Sequence, residues 1–350
     1  MTQPTPLNHS VLTRRSLVGW FLILLLIVVL FGLACSFVGI VSLPFDWSRS
    51  FWDWPIWRSQ LWHNRLSRLS AAGLVGAALA SAGLALQGLL RNPLADPYVL
   101  GISSGAGVGV LIGNAIATAV MLPAFFVTPL AALVGAVLTA GTVYAVAQRR
   151  GRLDPFVLLL SGVIVNVFNG ALILTVLQFV TREKMIDFIG WGMGQIPEYL
   201  WFRKGMLLVC SIPVFLALVQ LLVRAASLNT LGLGDEVASS SGVPIHRLRV
   251  EIFLIVSLVT AVAVSLAGPV GFVGLIVPHV FRLILGPDHR RLFIATAFGG
   301  AVFLMGADTL CRIVGEAFHL GELPVGVVTA MIGGPFFIWL LRRGFREERS

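Results

Sequence analysis

The stretch LLRNPLADPYVLGISSG, Leu89 to Gly105, places a short polar joint between two apolar runs. Pro93 and Pro97 lack a backbone N–H group, so neither can sit inside one helix that joins the two runs. The chain must leave one helix and enter another within a few residues, and Asp96 is placed to cap the second helix. The joint therefore predicts two separate helices with a stiff turn between them.

The whole chain is far more apolar than a water-soluble protein. Of its 350 residues, 57% are hydrophobic and 12% are charged, whereas soluble domains carry about 25% charged residues. A membrane-spanning helix needs about 20 mostly apolar residues, and such runs recur along the chain. We predict an all-α polytopic membrane protein in which residues 1–350 form a single transmembrane domain. The ten expected spans are 17–40, 69–90, 98–120, 123–147, 155–180, 205–223, 250–268, 270–286, 292–311 and 324–341.

Basic residues predict the orientation of these spans. Residues 250–286 could form one long crossing or two helices broken at Gly268 and Pro269. With the N-terminus inside, two helices place 16 of the 25 Lys and Arg residues in the cytoplasm, whereas one crossing places 10 there. Cytoplasmic loops are enriched in Lys and Arg. We therefore predict ten spans with both termini in the cytoplasm.

The N-terminal run and the outer loop that follows it are both expected to contact the membrane. Arg14 and Arg15 resemble a twin-arginine export signal, but the run 17–40 is longer than a signal's apolar region of about 7 to 15 residues. We predict that this run is the first span. Tryptophans in the outer loop predict an interfacial aromatic belt. They are Trp47, Trp52, Trp54, Trp57 and Trp62.

Nothing in the sequence predicts catalysis, a metal site or a cofactor. The six histidines are scattered, and the three cysteines, at 35, 210 and 311, lie within apolar runs and are expected to be small core residues. An ATP-binding loop requires Gly-Lys-Ser/Thr, but neither lysine, at 184 or 204, follows glycine. The arginines form short groups instead of a stripe, so nucleic acid is not an expected partner. Any ATP hydrolysis must come from another chain.

Small residues predict where the helices approach one another closely, because helices in lipid pack through such faces. One face repeats every four residues and comprises Gly101, Gly105, Gly109 and Gly113. Two similar faces are Ala72, Gly76 and Ala80 in the second span, and Gly326, Ala330 and Gly334 in the last.

Polar residues inside the spans leave a second class of function open. An ion-coupled secondary transporter needs a buried carboxylate, and Asp308 is the best candidate. Arg312 lies four residues later on the same helical face, so a structural ion pair is the preferred interpretation. Asn166 and Asn169 could bond across helices or line a path. A non-transporting membrane scaffold or sensor is the third reading.

Four stretches resemble one transport family along nearly the whole chain. They are RNPLADPYVLGISSGAGVG at 91–109, GLGDEVASSSGV at 232–243, GPVGFVGLIVPHVFRLILGPDHRRL at 268–292 and GELPVGVVTAMIGGPFFIWLLRR at 321–343. In order and spacing they resemble permease subunits of ABC importers for iron-siderophore complexes, haem and cobalamin. The resemblance implies a ten-helix importer subunit, and iron chelates are the favoured substrate because that group is the broadest.

The resemblance also implies that this chain lies in the cell inner membrane and works with several partners. They are two ATPase subunits, a periplasmic or lipid-anchored substrate-binding protein, and a second permease copy or close paralogue within the lipid. Residues 225–249 would form the cytoplasmic coupling loop. Within it, the residues implied to contact the ATPase are Gly234, Asp235, Glu236, Ala238 and Gly242. Independently, Gly234 and Asp235 predict a helix start, and the break at Gly242 predicts its end.

Arginines on the outer side complete the resemblance. Arg65 and Arg68, before the second span, and Arg312, near the outer end of the ninth, match positions that receive acidic residues of the binding protein in the family. Arginines on this side run against the positive-inside rule. Charge complementarity with a docking partner would account for them.

Overall fold

The computed structural model describes residues 14–38, 60–149, 152–196, 204–319, 321 and 323–347, and twelve α-helices lie within them. They are α1 Arg14–Ser36, α2 Gln60–Leu90, α3 Ile102–Ala119, α4 Ala124–Ala147, α5 Pro155–Leu177, α6 Arg182–Gly192, α7 Lys204–Gly232, α8 Asp235–Ser240, α9 Ile245–Ala267, α10 Val273–Leu285, α11 His289–Ala317 and α12 Val325–Glu347. A 3₁₀ helix, η1, spans Pro97–Leu100, and a strand pair joins β1 (Gln148–Arg149) to β2 (Arg152–Leu153).

The described helices confirm the all-α membrane fold. Eight of them are long and apolar enough to cross a membrane, and α10 and α12 contribute two shorter apolar segments. Each of the ten expected spans falls on one of these helices. The observed helices are often longer than the apolar runs, because polar turns continue them beyond the lipid. For example, α2 begins at Gln60 and α7 continues to Gly232.

Helix α2 lies at the centre of the bundle. Within its apolar window 78% of the residues are buried, compared with 11% for α1 and 17% for α7. Its neighbours include α7, α9, α10 and α11. Nine of its nineteen described buried residues are alanine or glycine, which lets these helices approach its backbone. The helices α1, α5 and α7 present large apolar side chains on the outside of the bundle.

The chain reverses direction between α9 and α10, as the charge distribution predicts. Arg249 of α9 and Arg91, just beyond α2, both bind the carboxylate of Asp235. At the start of α11, the Nε2 atom of His289 lies 2.7 Å from a Cβ atom placed on Gly88. Both ends of the segment 250–286 therefore lie at the same end of α2. A single crossing is excluded.

The sides on which the described chain begins and ends follow from this arrangement. Helix α1 ends at Ser36 beside Arg65, near the first turns of α2 and so opposite Asp235. Helix α12, 23 residues long, starts on that opposite side and is long enough to cross back. This arrangement predicts that α1 begins, and α12 ends, on the side of Asp235. That this side is the cytoplasm stays a prediction.

Close helix packing follows one predicted glycine face and departs from another. A Cβ atom on Gly76 would overlap the carbonyl group of Gly300 in α11, so α2 and α11 touch backbone to backbone. The prediction for α12 holds at Gly326, where a Cβ atom would overlap the carbonyl groups of Met193 and Pro269, but not at the other two positions. Ala330 is exposed and a Cβ atom on Gly334 would meet nothing within 4 Å, whereas Gly333 packs against the ring of Phe272.

Candidate transport pathway and coupling surface

A cavity of about 580 Å³ opens between η1, α3, α5, α6 and the connection from α9 to α10. Its polar lining includes Asp96, Tyr98, Ser103, Ser104 and Asn166, and its apolar lining includes Ile173, Phe188, Trp191, Phe272 and Leu275. Non-helical backbone at membrane depth is tolerated where it is buried in protein or lines a cavity. The mixed lining suits a large solute that carries both polar and apolar surface.

The acidic side chain of this cavity is also part of its framework. The Asp96 carboxylate accepts a hydrogen bond from the N–H group of Tyr98 at 2.8 Å and so caps η1. This is the cap that the sequence predicts, although the helix it begins is the short η1 that leads into α3. Burial raises the pKa of the Asp96 carboxyl group to about 6, and the N–H group of Tyr98 opposes that rise.

The two asparagines of α5 occupy different environments. Asn166 lines the cavity. Asn169 is buried, and its side-chain amide donates to Ser104 Oγ at 3.2 Å and to Thr139 Oγ1 at 3.3 Å. Asn169 therefore ties α5 to α3 and α4 behind the cavity wall, while Asn166 is available to a solute.

The four glycines spaced along the start and length of α3 bring its backbone against its neighbours. Gly101 has φ 75° and lies against Gly162 of α5. Cβ atoms on the other three, Gly105, Gly109 and Gly113, would overlap Thr139 or Ala131 of α4. The face packs α3 against α4 and leaves Ser103, Ser104 and Gly107 of α3 toward the cavity.

Helix α8 has the bounds that the sequence predicts. Gly234 precedes it with φ 118°, and Gly242 follows it with φ 79°. The N–H group of Val243 donates to the carbonyl of Ala238 at 2.9 Å, which is the hydrogen bond of a glycine-ended helix. Ala238 is fully buried against the bundle, while Glu236 faces outward. The helix presents a projecting surface that also carries exposed Leu233 and Val237.

An ion cluster fastens the start of α8 to two other helices. The Asp235 carboxylate lies 2.9 Å from Arg91 Nη2 and 2.8 Å from Arg249 Nη2. The sequence analysis counts both arginines only among the cytoplasmic basic residues that orient the spans. Beside this cluster a groove of about 650 Å³ is lined by Asp235 and Glu236 together with Arg152, His246 and Arg247. Strand β2, Arg152–Leu153, forms part of its rim, and no sequence signal indicated the strand pair to which it belongs.

The three outer arginines lie together, and each bonds within this chain. Arg68 Nε lies 2.9 Å from Asp308 Oδ1, and Arg312 Nη1 donates to the carbonyl of Val38 at 2.7 Å. Arg65 Nη1 donates to the carbonyl of Ser36 at 3.4 Å. All three are buried: the exposed fraction is 9% for Arg65, 4% for Arg68 and 3% for Arg312. Arg65 and Arg312 cap the carbonyl end of α1, where cations are favoured.

Asp308 forms the ion pair that its spacing to Arg312 predicts. Its Oδ2 atom lies 3.4 Å from Arg312 Nε, and Arg68 provides a shorter contact from α2. A carboxylate held by two guanidinium groups is already neutralised inside the protein. This arrangement favours a structural ion pair over an ion-coupling site.

Comparison with known proteins identifies the family. The sequence profile of the FecCD transport family matches residues 24–343. The chain belongs to the FecCD transport family. A solved structure described as an inward-facing conformation of a metal-chelate type ABC transporter shares its fold. It has a TM-score of 0.73 and 29% identity, and the match covers 92% of this chain and 99% of that one.

Curated relatives of this FecCD-family chain are permeases. The cobalamin import system permease protein BtuC of Halobacterium salinarum is 41% identical over 263 residues, or 74% of this chain and 66% of the relative. The hemin transport system permease protein HmuU of Yersinia pestis is 38% identical over 267 residues, covering 75% and 76% respectively. These matches confirm the family that the four sequence stretches indicate.

The predicted aromatic belt of the outer loop falls outside the described part of the chain. Four of its five tryptophans, at 47, 52, 54 and 57, lie outside the described residues, and so does the side chain of Trp62.

Proposed function

We propose that this chain is the membrane-spanning subunit of an ATP-driven importer for a metal chelate: cobalamin, haem or an iron(III)-siderophore. Family membership supports the importer class. The observation that carries the ATP-driven part is α8, a projecting helix whose buried Ala238 anchors it and whose exposed Glu236 and Val237 are available to a partner. Exposed apolar side chains beside charged ones on a polar face are typical of a protein interface.

The partners of this importer follow from the two faces of the subunit. On the cytoplasmic side of the inner membrane, α8 and the neighbouring groove bind one ATPase subunit. The second permease copy or paralogue binds the other ATPase subunit in the same way. A second permease copy or a close paralogue closes the cavity, and a periplasmic or lipid-anchored binding protein delivers the chelate from outside. ATP-driven movement of α8 then changes access to the cavity.

Purification and uptake test this assignment. An ATPase chain should co-purify in fixed stoichiometry, and proteoliposomes of the complex should take up cyanocobalamin, haemin or ferric citrate with ATP and the binding protein. The binding protein's affinity for each of these compounds identifies the substrate. Uptake driven by an ion gradient without ATP would overturn the proposal and support a secondary transporter.

The first prediction concerns coupling at α8. Replacing Glu236 and Gly242 together with alanine removes an exposed charge and strains a backbone position with φ 79°. We expect ATP-dependent uptake to fall by about tenfold, within the range of measured coupling free energies, while ATP hydrolysis and the membrane fold persist. Ser240→Ala, on the same exposed helix, is the matched control and should transport normally. Undiminished uptake by the double variant would remove α8 from the coupling role.

The second prediction concerns docking of the binding protein. We propose that acidic residues of the binding protein approach the arginine cluster at Arg65, the most accessible of the three, with Arg68 and Arg312 behind it. Arg65→Glu should weaken docking by about tenfold, or about 1.4 kcal/mol, and this loss should shrink at high salt. Arg182→Glu, the same charge reversal at an exposed arginine on the same side, should bind as wild type does. Equal affinity for both variants would place docking elsewhere.

A further inference from the structure

We propose that the segment from Arg91 to Tyr98 transmits movement of α8 to the cavity wall, with Arg91 and Tyr98 as the positioning residues at its two ends. The inference rests on the proposed function, because it assumes that α8 moves when a partner hydrolyses ATP. It assigns these residues a place in coupling that family membership does not give them. Each link is a contact between described residues.

The first link is the contact between Arg91 and α8. Arg91 Nη2 lies 2.9 Å from Asp235 Oδ1, and the two residues are 144 positions apart in sequence. Asp235 is also bound by Arg249 of α9, whose Nη2 contacts both carboxylate oxygens, at 2.8 and 3.0 Å. A shift of α8 therefore pulls on α9 and on the turn after α2 at the same time.

The backbone of Arg91 indicates that its side chain is retained for this contact. Its φ is 49°, a left-handed conformation that glycine adopts more readily than other residues. The N–H group of Asn92 donates to the carbonyl of Gln87 at 3.1 Å, which is the bond that closes a helix around a glycine-like position. Arginine adopts a backbone conformation here that glycine would adopt at lower cost. Glycine, however, could not form the ion pair with Asp235.

The second link is the stiffness of the segment itself. Pro93 and Pro97 fix two of its φ angles. Asn92 closes a turn by accepting two hydrogen bonds. The N–H group of Leu94 donates to its side-chain oxygen at 2.9 Å, and the N–H group of Ala95 donates to its backbone carbonyl at 3.1 Å. Asp96 then caps η1. A segment held in this way moves as a unit and does not absorb a displacement.

The third link joins the segment to the cavity wall. Tyr98 Oη accepts a hydrogen bond from the N–H group of Val270 at 2.9 Å. Val270 lies in the connection from α9 to α10, where Pro269 and Phe272 line the cavity together with Tyr98 itself. Phe272 has φ 68°, a strained conformation for a bulky residue. Movement of the segment therefore reaches a strained part of the cavity wall.

Variants of Arg91 separate the side-chain contact from the fold. Arg91→Gly removes the ion pair but suits the left-handed backbone, so we expect folding and ATP hydrolysis to persist while uptake falls by about tenfold. Arg91→Lys keeps the charge and should restore most of the uptake. Arg224→Ala is the matched control, because that arginine of α7 also forms an ion pair, with Glu251 at 2.8 Å, and lies outside the groove beside α8. Tyr98→Phe removes the hydroxyl group and should reproduce the defect of Arg91→Gly.

A second readout does not depend on the substrate. Gly271 lines the cavity and has open space around it, so a nitroxide on Gly271→Cys should fit there. In the complex with the ATPase, its electron paramagnetic resonance spectrum should change on ATP binding in the wild type and in Arg91→Lys. It should stay unchanged in Arg91→Gly. A wild-type-like response and normal uptake in Arg91→Gly would overturn the inference.

The two proposals fail in different ways. If the wild-type complex neither binds an ATPase nor takes up cyanocobalamin, haemin or ferric citrate with ATP, the proposed function fails and the inference fails with it. If the wild type is active and Arg91→Gly matches it, only the transmission route is wrong. If Arg91→Gly is inactive and Arg224→Ala is equally inactive, the effect belongs to any lost arginine on this side of the subunit, which also contradicts the route.

Discussion

Replacing Gly76 with valine is expected to prevent the subunit from reaching its folded state. A Cβ atom at this position would overlap the carbonyl group of Gly300 and lie 2.9 Å from the Cβ of Leu304, so α2 and α11 would have to separate. Overpacking a filled site costs about 1–3 kcal/mol, and more where backbone must move. Lipid offers no apolar driving force to hold the separated helices together. Size-exclusion chromatography in detergent should show loss of most of the monodisperse peak.

The matched control for this variant is Gly141→Val in α4. Gly141 also lies inside a long apolar helix, but a Cβ atom on it would meet nothing within 4 Å. The two substitutions change intrinsic helix propensity equally, so a difference between them reports the close approach of α2 to α11. Gly141→Val should behave as wild type. Equal loss of the folded peak in both variants would show that helix propensity, and not packing, is responsible.

The sequence predicts the membrane fold well because lipid imposes simple rules on each segment. Backbone groups in the bilayer must bond within a helix, so ten apolar runs predict ten helices. Charge counting predicts the reversal at Gly268, and the contacts of Arg249 and His289 at one end of α2 confirm it. These signals are local and need no knowledge of which helices are neighbours.

Which face of a helix packs is harder to predict from one sequence. A run of small residues shows that close approach is possible but does not identify the partner. On α2 the face containing Gly76 meets α11. On α12 only Gly326 of the predicted face packs closely, and further along the helix Phe272, from the connection between α9 and α10, contacts Gly333 instead of Gly334. The strained φ of Phe272 depends on that packing and has no local signal.

The site follows the same division between local and distant information. The bounds of α8 could be predicted from its flanking glycines. The contact of Asp235 with Arg91 could not be predicted, because the two residues are 144 positions apart. The pair of Asp308 and Arg312 follows from helical spacing. The shorter contact of Asp308 with Arg68 joins residues 240 positions apart, and spacing within a helix cannot indicate it.

That buried ion pair leads to the second large effect, which is expected for Asp308→Asn. The side chain of Asp308 is fully buried, with Arg68 Nε at 2.9 Å and Arg312 Nε at 3.4 Å. Asparagine keeps the shape but removes the charge, leaving two guanidinium groups in the protein interior without their carboxylate. Removing one member of a buried ion pair costs about 3–5 kcal/mol. Thermal unfolding in detergent should show a large drop in melting temperature.

Two further variants decide whether buried charge is the cause. Glu251→Gln also breaks two arginine contacts, each at 2.8 Å, but its partners Arg224 and Arg247 are exposed, so the expected loss is about 1 kcal/mol or less. Adding Arg68→Met to Asp308→Asn removes one of the uncompensated charges and should recover part of the stability, since apolar replacement of buried ion pairs is often tolerated. If Asp308→Asn unfolds at the wild-type temperature, the charges of Arg68 and Arg312 do not depend on Asp308 for compensation. In that case the cluster would be free to exchange Asp308 for acidic residues of a docking protein.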